Sequence, residues 1–82
     1  MRVARTTLFV HSASHALLEQ FRRERDPSVR AATVLAAVSG DARIAQSDDV
    51  ATLVREATHD AAVLVQDAAV RAQRSLDAAR VD

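Results

Sequence analysis

Residues 26–41 read DPSVRAATVLAAVSGD, and this stretch constrains the chain more than any other. Asp26 can accept hydrogen bonds from the unpaired N–H groups of a first helical turn. Pro27 suits the first helical position, where no backbone donor is needed. Gly40 stands where a left-handed residue ends a helix. Between them, residues 31–38 contain Thr33 as their one polar member. A helix apolar on all sides needs neighbours on more than one face, and this one is too short to span a bilayer. It is therefore expected at the centre of whatever the chain builds.

The material available to surround it is thin. The chain has 82 residues and is 49% apolar, but much of that is alanine, and only Phe9 and Phe21 are aromatic. Alanine buries little area, and a chain of this size has a marginal core of its own. A second chain or a partner is the usual remedy. With no cysteine, disulfides, thiolate metal sites and a cysteine nucleophile are excluded. No apolar run reaches membrane length, and the N-terminal apolar patch is too short for a secretory signal and is interrupted by His11. The expectation is a soluble, cytoplasmic protein with no membrane partner.

All eleven basic residues are arginine. Residues 1–30 carry six of them against Glu19, Glu24 and Asp26, a net of +3; residues 31–82 carry five against eight acids, a net of −3. Such asymmetry fits a nucleic-acid-facing half and a partner-facing half.

Residues 3–10, VARTTLFV, are rich in β-branched and aromatic types, with Arg5, Thr7 and Phe9 alternating against Thr6, Leu8 and Val10, which predicts a short extended arm. Ser12 or Ser14 would cap a first helix running to about Arg25, with Leu17, Leu18 and Phe21 on one face. After the central helix a loop, GDARIAQSDD, leads to Ser47 or Asp48 as the next cap. From there Val50, Val54, Ala57, Ala61, Leu64, Ala68, Ala72 and Leu76 recur close to every 3.6 positions, with no proline or glycine after Gly40. Unbroken, residues 48–80 would form a helix of about 50 Å.

The expected fold is all-α, a three-helix arrangement of two short helices and one long C-terminal helix with a short extended N-terminal arm. It is a single small helical domain over residues 1–82: arm 1–11, helical hairpin 12–46, long helix 47–80. The stripe from Val50 to Leu76 is the predicted partner-binding face, for a second copy of the chain or for another protein.

The central stretch also resembles a HEAT repeat, in which an Asp-Pro turn leads through Val-Arg into an alanine-rich inner helix and a Gly-Asp turn. Asp26, Pro27, Val29, Arg30, Ala31, Ala32, Leu35, Gly40 and Asp41 match as they stand. DAAVRAQRSL at 67–76 repeats Asp, Val, Arg, Ala and Leu at the same offsets, 41 residues on (26 to 67). The resemblance implies a protein-binding scaffold without catalysis, and a turn close to Asp60.

A second reading starts from the N-terminus. A strand carrying RTTLFV followed by two helices looks like the ribbon-helix-helix order of small dimeric DNA-binding regulators and antitoxins. Arg5 and Thr7 would then reach bases in the major groove.

Other clusters carry less. His11, His15 and Glu19 fall at i, i+4 and i+8, a spacing zinc sites use, yet His11 precedes the expected cap. His59 stands beside Asp60 and near Glu56 on the polar side of the last segment. Arg22, Arg23 and Arg25 suit a solvated helix end. No catalytic residue, metal site or cofactor is expected. The sequence reads as a non-enzymatic interaction or oligomerisation module, an accessory or structural subunit of a larger assembly.

Overall fold

Helix begins far earlier than the alternation at the N-terminus implies. The computed structural model describes the backbone of residues 2–80 and the side chains of residues 8–80. In it α1 runs unbroken through Arg2–Arg23, so the extended arm predicted at residues 1–11 is helical from Arg2 onward. Val3, Thr6, Thr7 and Val10 are only mild helix breakers, and they are interleaved with Ala4, Arg5 and Leu8, which favour helix. No second strand is present among the described residues to satisfy an extended backbone, whereas a helix satisfies its own. Ser12 and Ser14 lie inside α1 and cap nothing. The strand of the ribbon-helix-helix reading falls with the arm. Arg5 and Thr7 lie in helical backbone, and their side chains are outside the described residues.

The central helix, α2 (Pro27–Ser39), starts as expected. Asp26 is extended, and its carboxylate accepts from the Ser28 N–H at 2.8 Å, with Pro27 directly after it. Its end differs. Gly40 has φ −98°, so no left-handed residue closes this helix, and a Cβ there would meet nothing within 4 Å. The chain turns instead into a single helical turn, α3 (Ala42–Ala45), capped by the Asp41 carboxylate on the Arg43 N–H. Ser47 then caps α4 (Asp48–Thr58), its hydroxyl accepting from the Val50 N–H at 3.3 Å.

The long C-terminal helix is two helices. α4 ends at Thr58, residues 59–62 turn, and α5 (Val63–Ala79) runs back, so the described residues form five helices where three were expected. No glycine or proline makes this break. Asp60 does: its carboxylate accepts from the Ala62 N–H at 3.0 Å and from Arg30, and its carbonyl accepts from the Gln66 side chain. Folding back lets the alanine face of α5 bury against α2, which a straight rod of about 50 Å would leave in water.

Two helical hairpins result, α1–α2 and α4–α5. Short connections make the helices within each antiparallel. Between hairpins the order is parallel, because Ser14 of α1 meets Asp49 of α4, and farther along both helices Arg22 meets Glu56. α1 and α4 form one layer, α2 and α5 the other, and α2 touches all four other helices. The Cα extents of 43 × 31 × 16 Å are those of a slab two helices thick.

The burial pattern repeats. Ser14, Leu17, Leu18 and Phe21 turn inward on α1, and Val50, Leu53, Val54 and Ala57 do so on α4. The spacing is 36 residues at every pair (14 to 50, 17 to 53, 18 to 54, 21 to 57). The caps of α2 and α5 agree, Asp26 against Ala62. The 41-residue register read from sequence is out of step with this period: Asp67 lies inside α5 and caps nothing.

Candidate interaction surface

Most of the predicted partner-binding stripe is consumed inside the chain. Val50, Val54 and Ala57 are buried on α4, and Ala68, Ala72 and Leu76 are buried on α5. Ala61 stands exposed in the turn, and Leu64 is 50% exposed. The periodicity was real, but its partner is the facing hairpin. Six of the eight residues thus have their burial explained without a second chain.

The exposed apolar residues lie elsewhere. On α5, Val63 is 76% and Val70 48% exposed; they stand seven residues apart on the side turned away from Val65, Ala68, Ala69 and Ala72. On α2, Val29, Ala32 and Ala36 lie opposite the buried Ala31, Val34 and Ala37, and Leu35 borders the same exposed side. On α1, Leu8 and Phe9 are exposed beyond the N-terminal end of α4. Sequence reasoning passed over Val63 and took Val29 and Val70 only as members of the repeat pattern, not as surface residues. The signal was available in Val63 and Val70, which keep a common phase distinct from the main stripe.

Charged side chains join the hairpins. Arg22 clasps the Glu56 carboxylate through Nε at 3.1 Å and Nη2 at 2.6 Å. This pairing holds Glu56 below the usual carboxylate range, against a smaller opposing effect of burial. Arg30 does more. Its Nη1 donates to the carbonyls of Phe21 and Glu24 at 2.7 and 2.8 Å, satisfying the end of α1, while Nη2 meets Asp60. The guanidinium also lies over the Phe21 ring, 4.1 Å from its centroid. Asp60 is lowered first by the Ala62 N–H and then, against burial, by Arg30. Asp41, paired with Arg43 at the cap of α3, is lowered to about 2.

The arginine cluster is thereby divided. Arg22 is committed to Glu56, and Arg23 reaches back to the Glu19 carbonyl at 3.4 Å. His11 and His15 stack with ring centroids 6.2 Å apart, and His15 lies 3.9 Å from Glu19. Among the described residues no three histidine, aspartate or glutamate side chains converge as a metal-binding group. His59 caps α4 through its backbone, with its side chain exposed. No described helix is long and apolar enough to cross a membrane.

The surface that remains exposes apolar side chains on α2 and, among charged neighbours, on α5, and is charged along the seam between the hairpins. No protein-family model matches the chain, and no curated protein or solved structure is detectably similar to it.

Proposed function

We propose that this chain is a HEAT-like protein-interaction module of two stacked helical hairpins, serving without catalysis as an accessory or structural subunit of a larger assembly. The observation that carries the reading is the constant 36-residue offset of inward-facing residues between α1 and α4, with the hairpins stacked in parallel. That is how repeat solenoids are built: each unit buries its apolar face on the next, and the stack presents a broad surface instead of a cleft. The turn at residues 59–62 also lies where the repeat resemblance requires one.

The layer formed by α2 and α5 is the working surface in this reading, because it exposes Leu35 and Leu64. A photo-reactive residue placed at Leu35 or Leu64 in expressing cells should give discrete adducts with a protein, whether another chain or a second copy. The same group at Arg55, on the opposite layer, should give far fewer. Adducts only with nucleic acid, or equal labelling from all three sites, would overturn the assignment.

A further inference from the structure

The break between α4 and α5 contains no residue that a helix would refuse. No glycine or proline follows Gly40, and among the described residues none has a positive φ. His59, at φ −101° and ψ 11°, stays close to helical geometry; Ala62, at φ −89° and ψ 127°, is the extended residue from which α5 sets out. Returning Ala62 and its two predecessors to helical angles would join α4 and α5 into one rod. The buried faces are already aligned for it. At about 3.6 residues per turn, Val50, Val54 and Ala57 of α4 share one side with Ala68, Ala72 and Leu76 of α5.

What favours the turn is bonding that the rod would not allow. The Asp60 carboxylate accepts from the Ala62 N–H at 3.0 Å, and Gln66 Nε2 donates to the Asp60 carbonyl. In a continuous helix the Ala62 N–H would donate to the Thr58 carbonyl, and the Asp60 carbonyl would accept from the Leu64 N–H. Turn and rod therefore both satisfy the backbone, and they differ chiefly in where α5 lies.

We propose that residues 59–62 are a hinge across which two copies of this chain exchange α5. In the exchanged dimer residues 48–79 of each copy form one helix of about 50 Å. The two rods run antiparallel about a two-fold axis near residue 60, and α5 of each copy seats on α2 and α4 of the other. The contacts that bury Val65, Ala68, Ala69 and Ala72 within one chain are remade between chains. That identity is what makes a second copy the occupant, because α2 already fits this α5 face. Exchange replaces turn bonds with helix bonds and is driven by concentration.

Sedimentation of the full chain, refolded from urea at a series of protein concentrations, tests it. Wild type should divide between 8.9 kDa and twice that mass, with the dimer share rising with concentration. Asp60→Ala and Gln66→Ala remove bonds that belong to the turn. Each should raise the dimer share, and Asp60→Ala should raise the dimerisation constant by about tenfold or more, since two turns open per dimer. Val63→Pro should abolish the dimer in wild type and in the Asp60→Ala chain, with the monomer's circular-dichroism spectrum unchanged. Proline suits the first position of α5, and Ala62 already has the extended backbone that precedes proline. Inside a continuous helix the same ring loses the bond to the His59 carbonyl and collides with it. Backbone carbon shifts at residues 59–62 should be helical throughout in the dimer and broken at Ala62 in the monomer. A dimer that survives Val63→Pro, or keeps the monomer's shifts at these residues, joins through its surface and overturns the exchange. Wild type and Gln66→Ala both fixed at 8.9 kDa overturn it as well, whether or not Asp60→Ala folds.

Discussion

The two hairpins share a period but are held together differently. The first is reinforced locally. α2 has its own side-chain cap in Asp26, proline follows it, and Phe21 fills the space beneath Arg30. The second has neither advantage: α5 begins at Ala62 with no side-chain cap from that residue, and the position 36 residues after Phe21 is Ala57. Its turn depends on Asp60, whose strongest cation comes from the first hairpin. The second hairpin is thus completed by the first, and stacking the repeats is part of closing the α4–α5 turn.

The largest expected effect separates two alanines at matching positions, Ala32 on α2 and Ala68 on α5. Ala68 is 3% exposed, so Ala68→Glu places an unpaired carboxylate in the core. That should cost about 3–5 kcal/mol or more, enough to unfold much of so small a domain. Ala32→Glu, on the exposed side of α2, should change the stability of dilute protein by about 0.5 kcal/mol or less. Urea titrations of the two variants compare them directly, and equal losses would contradict the burial described here. Glutamate at Ala61 and Ala68 therefore has two separate consequences: it is tolerated at the first site and unfolds the chain at the second.

Next in size is Phe21→Ala, at about 3–5 kcal/mol, since the ring is fully buried and also carries the Arg30 guanidinium. The corresponding Ala57→Gly should cost about 1 kcal/mol, mostly through helix propensity. Chemical denaturation should show that contrast. A loss from Phe21→Ala no greater than from Ala57→Gly would remove the first hairpin's claim to be the better packed.

The capping carboxylates give a smaller contrast in the opposite sense. Asp26→Ala should cost about 1 kcal/mol, the usual value for a lost N-cap. Asp60→Ala should cost about 2–3 kcal/mol, because it opens the Ala62 N–H and leaves a largely buried guanidinium without its carboxylate. Native-state hydrogen exchange should show the extra loss on both sides of the turn, at the end of α4 and the start of α5. Exchange confined to α5 would mean that Arg30 does not tie the hairpins together.

This difference also explains what was legible. Asp26, Pro27 and Ser47 mark helix starts by local chemistry, and both starts are found where those residues stand. The break at residues 59–62 has no such mark. Apolar residues keep helical phase from Ala57 through Ala61 and Leu64 to Ala68, so the periodicity runs through the turn. What stops the helix is an aspartate whose partner, Arg30, lies thirty positions away (30 to 60), and no local window contains both. The N-terminal arm failed for a related reason, since strand propensity describes fit to a sheet and no sheet is present among the described residues. The stripe from Val50 to Leu76 was legible as an apolar face. Which surface covers it depends on that same turn.

The smallest predicted effect concerns acid. Glu56 and Asp60 both belong to the second hairpin and both lie below their ordinary values of 4.5 and 3.8, Glu56 chiefly through Arg22, Asp60 first through the Ala62 N–H and then through Arg30. A carboxyl with a lower pKa in the folded state binds fewer protons there than in the unfolded chain. Its contribution is complete above the ordinary value and is lost as pH falls from that value through the folded one. Stability should therefore be level from neutrality to about pH 5 and decline below it. The two pairs should not weigh equally. Arg22 and Glu56 are 46% and 36% exposed, so solvent and salt screen them, and Glu56→Gln should alter the acid limb by about 1 kcal/mol or less. Arg30 and Asp60 are 18% and 15% exposed, so Asp60→Asn should flatten the limb more. Urea midpoints at pH 7, 5, 4 and 3 for the two variants measure the order. If Glu56→Gln flattens the limb more than Asp60→Asn, the pair that holds the stack is the exposed one, and the second hairpin depends on the first through α1 instead of through α2.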